Sequence, residues 1–300
     1  MEEQAVNTIS ETEIINLIFS VINNLFSTLF SSIDNTLYPL LDETVFINSE
    51  NIFTDKFNLL FSSDKFNLLI LANILVTGIV LYRIGKIIVS IYTGIETQFP
   101  YLYAIKTAIY VIILNFSPYI CQQIINLNSL FTEYLSELGK YLFDRDMNFI
   151  SLYNTINNIV SESNTFELFS IDGIIHSITT FGFISLLITY IIRFILIKIL
   201  ILVSPFAFLC LIEDNLKPYF FNWLKYYIIL LLAQNIVVFV LYIPNILDNS
   251  NDIYYKILIV GVIYTLYQIN AYIKEMLGGF SISNNLNIGL SNMKSMFMNK

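Results

Sequence analysis

Long apolar runs fill most of the chain after residue 65, and short polar segments separate them. The runs cover residues 66–92, 103–125, 173–212, 221–247 and 254–273. A helix needs about 20 mostly apolar residues to cross a bilayer. The run 173–212 holds 40 residues, which is too long for one span and barely enough for two. The pattern predicts an all-α, polytopic membrane protein with about five transmembrane helices.

A different pattern occupies the N-terminal region. Between residues 14 and 33, apolar side chains recur at steps of three and four, and Asn and Ser fill much of the opposite face. This spacing predicts an amphipathic helix. Since the segment contains no basic residue, attraction to anionic lipid is not expected. We therefore favour packing on protein, with a position on the membrane surface as the alternative.

Composition agrees with a membrane protein. Apolar residues make up 56% of the chain, charged residues 13%, and the mean hydropathy is +0.69. A soluble domain carries about 25% charged residues, so a soluble fold would expose too much apolar surface. The net charge of −8 also argues against a free-standing nucleic-acid-binding domain, which needs basic surface.

The distribution of Lys and Arg orients the spans. Cytoplasmic segments are enriched in basic residues. If 173–203 is one over-long helix that breaks near Pro205, five spans follow, with the N-terminus outside and the C-terminus inside. The inside segments then hold ten of the 15 basic residues, and the outside segments hold 19 of the 23 acidic ones. A six-span alternative, with a hairpin near Arg193, would place Lys217, Lys225 and the C-terminal tail outside.

This topology divides the chain into five regions. They are an extracytoplasmic N-terminal region (1–65), two spans (66–125), an extracytoplasmic central segment (126–172), three further spans with the break at Pro205 (173–273), and a cytoplasmic tail (274–300).

The residues that usually carry chemistry are scarce. Cys121 and Cys210 lie in apolar stretches and His176 is the single histidine, so neither a metal site nor a cofactor is expected. There is no Gly-rich phosphate loop, no Ser/His/Asp set and no carboxylate pair in a span. The sequence therefore predicts a protein that is not an enzyme.

Basic residues at the predicted cytoplasmic helix ends are the candidate site residues. They are Arg83, Lys86, Arg193 and Lys198. Long basic side chains at these depths usually extend to the interface and face lipid. The alternative is that they line the path of an anionic substrate, and Arg193 and Lys198 are the stronger candidates for it.

Proline, aromatic and glycine positions complete the pattern. Pro205 is the expected helix break, since proline removes a donor and clashes one turn back. Trp223 and Tyr226 are expected in an interfacial aromatic belt, with a protein contact as the alternative. Gly78, Gly85 and Gly261 are the expected sites of close helix approach. Gly261 lies in the last predicted span.

One segment resembles a known family. Residues 191–212 (IIRFILIKILILVSPFAFLCLI) lead through Lys217-Pro218 to Asn222-Trp223-Leu224-Lys225. An apolar helix that runs into proline, a short polar loop and a Trp-bearing start of the next span is similar to TrbL-type polytopic inner-membrane subunits of type IV secretion and conjugation machines. The similarity covers roughly residues 66–280 and is sharpest over 185–245.

The resemblance implies a function. It implies a homo-oligomeric scaffold or channel component in a bacterial cell membrane, assembled with ATPases and a bitopic membrane protein. Membrane lipids would surround it, and DNA would be the transported substrate. Two alternatives remain: the membrane subunit of an ATPase-driven permease, with 213–223 as a coupling helix, and a lysis or immunity membrane protein.

Overall fold

Every regular element in the described part of the chain is an α-helix. The computed structural model describes residues 11–62, 67–93, 100–152, 154, 170–246 and 253–276. The helices are α1 (Glu11–Val45), α2 (Ser49–Ile52), α3 (Asp55–Ser62), α4 (Leu68–Thr93), α5 (Pro100–Asn115), α6 (Ser117–Phe143), α7 (Ile171–Leu209), α8 (Lys217–Ile246) and α9 (Ile253–Met276). The predicted cytoplasmic tail after Met276, and residues 153 and 155–169 of the 126–172 segment, lie outside the described residues.

Three described helices are long and apolar enough to cross a membrane. They are Leu68–Thr93, Gly173–Leu209 and Lys217–Ile246. A bent helix pair, Tyr101–Asn115 and Ser117–Phe143, makes a fourth if the pair counts as one span, and Tyr254–Ile269 is a shorter apolar helix. The chain is therefore an all-helical, multi-pass membrane protein.

The predicted span 103–125 is bent in the structure. The helix axis turns by 59° between α5 and α6. Pro118 lies in the first turn of α6, where the missing N–H of proline costs no helical hydrogen bond. If α5 and α6 formed one continuous helix, the Pro118 ring would clash with the carbonyl of Leu114. The N–H of Phe116 is shared between the carbonyls of Ile112 and Ile113, each at 3.2 Å, as the first helix ends.

The 173–212 run forms one long helix. With 39 residues, α7 extends for about 58 Å at 1.5 Å per residue, well beyond a hydrocarbon core of about 30 Å. Pro205 lies inside α7, and the helix ends one turn later, at Leu209. The end of the helix therefore follows the predicted position of the break by four residues. Turn hydrogen bonds from the N–H groups of 210–212 to the carbonyls of 207–209 close it.

The N-terminal helix α1 extends well beyond the predicted 14–33 segment. It continues through Pro39 to Val45. Its last turns are buried, with Leu41 and Val45 fully covered. Earlier in the helix, large apolar side chains are exposed, among them Leu17, Ile18, Phe19, Val21 and Leu25.

The described chain divides into two compact units. Unit 1 comprises the described residues of Met1–Asn48, Ser129–Ile195 and Gln234–Tyr267, and unit 2 those of Ser49–Asn128, Leu196–Ala233 and Gln268–Lys300.

Unit 1 has an aromatic and aliphatic core. Leu135, Met147 and Val238 form a buried cluster, with Phe143 and Tyr242 packed on it. A second aromatic group joins α1 to α7, where the ring of Phe183 meets the edges of Tyr38 and Phe149 at centroid distances of 4.9 and 6.2 Å. These contacts place the end of α1 among α6, α7 and α8.

Unit 2 is held partly by polar pairs between apolar helices. The amides of Asn73 on α4 and Asn115 on α5 exchange hydrogen bonds of 2.8 and 3.3 Å. The hydroxyls of Ser117 and Ser204 lie 3.5 Å apart and are both buried. The hydroxyl of Tyr227 donates to the carbonyl of Cys121 at 3.0 Å. Each pair satisfies polar groups that lipid could not.

The close helix approaches involve other glycines than those predicted. A Cβ added at Gly78, Gly85 or Gly261 would meet nothing within 4 Å. At Gly139 on α6, an added Cβ would lie 2.5 Å from Met147 Cγ and from the Tyr242 ring. Tyr242 is also held in place because its hydroxyl donates to the carbonyl of Leu135.

We expect Gly139→Ala to lower the free energy of unfolding by about 1–3 kcal/mol, because the neighbours of the new methyl group cannot move away. Gly78→Ala is the matched control and should be neutral or stabilising by up to about 1 kcal/mol, since alanine favours helix. Unfolding of both purified variants in one detergent measures the difference. A melting temperature for Gly139→Ala at or above that of wild type would contradict the packing.

Candidate functional site

Two acidic residues bring three helices of unit 2 to one short turn. Glu213 and Asp214 lie in the turn 210–216 between α7 and α8. Asp214 accepts from the ammonium groups of Lys106 on α5 and Lys217 on α8, at 2.8 and 2.7 Å. Glu213 contacts the guanidinium of Arg83 on α4 at 3.4 Å. The turn is thereby fastened to the C-terminal part of α4 and the start of α5.

The carboxylate of Asp214 keeps its charge over the physiological pH range. Hydrogen bonds from Lys106 and Lys217 lower the pKa of Asp214 to about 2. Asp214 is therefore ionised at every physiological pH. The guanidinium of Arg83 also lies 5.1 Å from the ring centre of Tyr103, a cation–π distance. We use the name charged turn for Glu213 and Asp214 together with four cations on the adjoining helices. These are Arg83 and Lys86 on α4, Lys106 on α5 and Lys217 on α8.

The region around Pro205 is closed by an aromatic cluster in unit 2. The indole N–H of Trp223 donates to the carbonyl of Leu200 at 3.1 Å. The next carbonyl, that of Ile201, has no helical donor because Pro205 has no N–H. Trp223 stacks on Tyr227 with ring centres 5.6 Å apart and planes 5° apart, and it meets Phe208 edge-on. Trp223 is 9% exposed and so contacts protein.

Arg193 performs a different task in unit 1. Its guanidinium donates to the carbonyl of Val45 at 3.2 Å, and Val45 is the last residue of α1. The last carbonyls of a helix lack intrahelical partners and carry the negative end of the dipole, so a cation there is favourable. Arg193 is 1% exposed and lies 5.7 Å from the ring centre of Tyr190. It faces neither lipid nor solvent in unit 1.

A chain of hydrogen bonds runs beneath the end of α1. The backbone N–H of Ile47 donates to the side-chain oxygen of Gln234 at 3.2 Å. The Gln234 amide donates to Thr132 at 2.8 Å, and the Thr132 hydroxyl donates to Asn235. All three side chains are buried. A fully paired network of this kind favours one arrangement of α6 against α8.

A polar cavity of about 410 Å³ opens above this network in unit 1. Ser129, Thr132, Glu133 and Ser136 line it from one face of α6, since they recur at steps of three and four. Gln234 contributes from α8, and the remaining lining residues come from 46–48 and 147–148. Its volume is within the range of small-molecule sites. Its lining contains one carboxylate and no basic side chain, which suits a polar or cationic group.

Asp42 fastens the segment that follows α6. Its carboxylate accepts from the backbone N–H of Phe149 at 2.8 Å. Burial raises the pKa of Asp42 to about 6, against the opposing effect of the N–H groups of Phe149 and Ile150. Asn148 caps the same short helical stretch by accepting from the N–H of Ser151 at 2.7 Å.

The structure distributes the predicted basic residues over several environments. Arg83 joins the charged turn, and Lys86 is exposed one turn further along α4. Lys198 is half-buried, with its ammonium 5.9 Å from the ring centre of Phe57. Arg193 belongs to unit 1 and Lys198 to unit 2. Tyr226, three residues after Trp223, is half-buried.

Sequence reasoning missed the acidic partners of these cations. Glu213 and Asp214 are the only carboxylates between residues 173 and 247. An acidic pair between two apolar spans, followed by Lys217, is the signal that could have predicted an ion-paired turn. Asp42 left no comparable signal, because its partners are backbone N–H groups of a distant segment.

Comparison with protein-family models, curated proteins and solved structures finds no match for this chain. The resemblance described above therefore rests on its own residues.

We expect Trp223→Phe to lower the free energy of unfolding by at least about 1 kcal/mol, because the donor to Leu200 is lost together with part of the buried indole ring. Tyr219→Phe is the control, since this ring is exposed and its hydroxyl lies at the surface. Equilibrium unfolding in one detergent measures both. Equal losses for the two variants would show that the indole hydrogen bond contributes nothing.

Asp42 predicts a pH dependence of stability. Because its folded pKa is raised from 3.8 to about 6, its contribution is fully present below about pH 4 and is lost as pH rises through 6. Asp42→Asn keeps an oxygen acceptor without the charge. It should therefore be more stable than wild type at pH 7 by on the order of 2–3 kcal/mol.

Thermal unfolding of wild type and Asp42→Asn between pH 4.5 and 7.5 measures this difference. It should shrink as pH falls toward 4.5. Glu43→Gln, at the exposed neighbouring position, is the control and should not change the pH profile. A difference between Asp42→Asn and wild type that is independent of pH would contradict the assignment to Asp42.

Proposed function

We propose that this chain is a membrane-embedded scaffold or channel component of a type IV secretion machine for conjugative DNA transfer. The proposal combines the multi-pass helical fold with the segment that resembles the TrbL-type subunits. In this role the chain has no catalytic function and acts in a homo-oligomer with ATPases and a bitopic membrane protein. The DNA is the substrate that the assembly transports.

One observation carries the proposal. The Pro- and Trp-bearing segment that resembles the family is a packed structural element, with the Trp223 indole bonded to the turn before Pro205. The tryptophan that follows the polar turn thus contacts the helix that contains the proline. If the segment were only a chance run of hydrophobic residues, we would not expect the single Trp of the chain to donate a hydrogen bond to the helix that contains Pro205.

The proposed topology has five spans, with the N-terminus outside and the C-terminus inside. In this arrangement α4, the bent α5–α6 pair, α7, α8 and α9 cross in turn. The charged turn supports it. Five crossings require the end of α4, the start of α5 and the 210–216 turn to lie on one side. Arg83 of α4 and Lys106 of α5 both pair with carboxylates of that turn, Glu213 and Asp214. The Arg and Lys residues at this end of the helices favour the cytoplasmic side of a bacterial cell membrane.

The exposure of the spans supports an assembly. Only 11% of the apolar window of α4 is buried within the chain, compared with 61% for α8. The remaining surface of α4 is available to lipid and to further subunits.

The permease alternative has less support. It requires residues 213–223 to form a separate coupling helix. In the structure, Glu213 and Asp214 are ion-paired in a turn, and Lys217–Trp223 form the first turns of the long α8. No observation on the described residues favours a lysis or immunity function.

The proposal predicts that deletion of this chain abolishes conjugative transfer from its host without slowing growth. Expression of wild type from a second locus should restore transfer, and Gly78→Ala should restore it equally. Transfer frequency per donor cell is the measurement. Normal transfer in the deletion strain would refute the proposed function.

Cross-linking in native membranes, followed by affinity purification and mass spectrometry, distinguishes the proposal from the permease alternative. Conjugation ATPases and a bitopic assembly protein are the expected partners. An ABC-type ATPase or a solute-binding protein in their place would transfer the assignment to the permease.

A further inference from the structure

The charged turn has an excess of positive charge. It contains four cations, Arg83, Lys86, Lys106 and Lys217, and two carboxylates, Glu213 and Asp214. The net charge of the group is therefore +2. Such an excess between the ends of apolar helices calls for an anion, because charge at this depth is costly without a partner.

The cations keep donors that the carboxylates do not use. An ammonium group has three N–H donors, and Lys106 and Lys217 share one carboxylate oxygen of Asp214. Their side chains are 28% and 35% exposed, so they reach the surface of unit 2. Lys86 is exposed and lies one turn after Arg83 on α4.

The adjoining face of α5 carries two buried hydroxyls. Tyr103 and Thr107 share one face of α5 at a spacing of four, Lys106 lies three residues after Tyr103, and each hydroxyl-bearing residue is 9% exposed. Their hydroxyl oxygens have no hydrogen-bond partner among the described residues. Because both hydroxyl oxygens are enclosed by protein, they do not reach a phosphate at the surface, and the cations are its donors.

Exposed tyrosines lie close in sequence to the cations of the charged turn. Tyr82 precedes Arg83, Tyr101 lies in the first turn of α5, and Tyr219 follows Lys217. Their rings are 62–72% exposed. Tyrosine collects at the level of the lipid headgroups. The aliphatic side chains of Leu81, Ile84 and Ile88, exposed on the same part of α4, offer an apolar surface to acyl chains.

We propose that the charged turn binds the headgroup phosphate of an anionic phospholipid. The cations of α4, α5 and α8 hold the phosphate oxygens, and the tyrosines fix the depth. The apolar surface of α4 beside the site selects a lipid over free phosphate. This binding does not depend on the proposed role in secretion.

The test uses the full chain, delipidated in a neutral detergent. A fluorescent phosphatidylglycerol is titrated against it, and phosphatidylcholine with the same acyl chains is the uncharged comparison. We expect saturable binding of phosphatidylglycerol that weakens as salt is added, and no saturable binding of phosphatidylcholine. Equal binding of the two lipids would overturn the proposal.

Variants locate the site. Lys106→Gln with Lys217→Gln should weaken phosphatidylglycerol binding by roughly 25-fold, about five-fold for each cation removed. Lys140→Gln with Arg145→Gln removes the same charge from unit 1 and should leave binding unchanged. Among the described residues Lys86 forms no ion pair, so Lys86→Gln tests the site even if the double variant fails to fold. It should weaken binding about five-fold. Unchanged binding in Lys86→Gln would overturn the proposal.

Two competitors identify the source of the phosphate. Inorganic phosphate at the same concentration should not displace the lipid. Displacement by it would show a free-anion site and overturn the lipid assignment. The second competitor is a single-stranded DNA oligonucleotide, tested against unlabelled phosphatidylglycerol on wild type. If the oligonucleotide displaced the labelled lipid at the lower concentration, the lipid assignment would be overturned in favour of nucleic acid.

Discussion

The structure depends on one constraint: an apolar helical chain has to satisfy its polar groups from within. Lipid offers no hydrogen bonds to a helix end or to a carbonyl that lacks its donor. Arg193 donates to the carbonyl of Val45 at such a helix end. Four buried side chains satisfy their own donors on carbonyls of other helices: Trp223 on Leu200, Tyr227 on Cys121, Tyr190 on Leu266 and Tyr255 on Pro244. The abundant tyrosines, 20 in the chain, suit this task because each carries one donor on an apolar ring.

The same constraint explains where charge is placed. Unit 1 buries a single arginine at the end of a helix, where the partial charges of the carbonyls provide its partner. Unit 2 brings Arg83, Lys106 and Lys217 from α4, α5 and α8 to two carboxylates of one turn. The first arrangement fastens α1, and the second fastens the connection between two spans.

The sequence predicted the helices better than the positions where they bend or end. Apolar runs of span length indicated α4, α7 and α8 because burial in lipid requires about 20 apolar residues whatever the neighbours are. The bend at Pro118 has a local cause that is visible in the sequence. The position at which α7 ends, beyond Pro205, has no such local cause. The helix continues for as long as the aromatic cluster of Phe208, Phe220 and Trp223 packs on it.

By itself, the sequence determined that the chain is helical and crosses a membrane, and that its cations collect near helix ends. Composition and periodicity are local properties, and lipid acts on each segment alone. Only the tertiary structure decided which cation meets which partner. Arg193 and Arg83 look alike in the sequence, yet one caps α1 and the other pairs with Glu213. The reason is physical: a hydrogen bond needs its two atoms within about 3 Å, and packing alone brings together residues 130 or 148 positions apart.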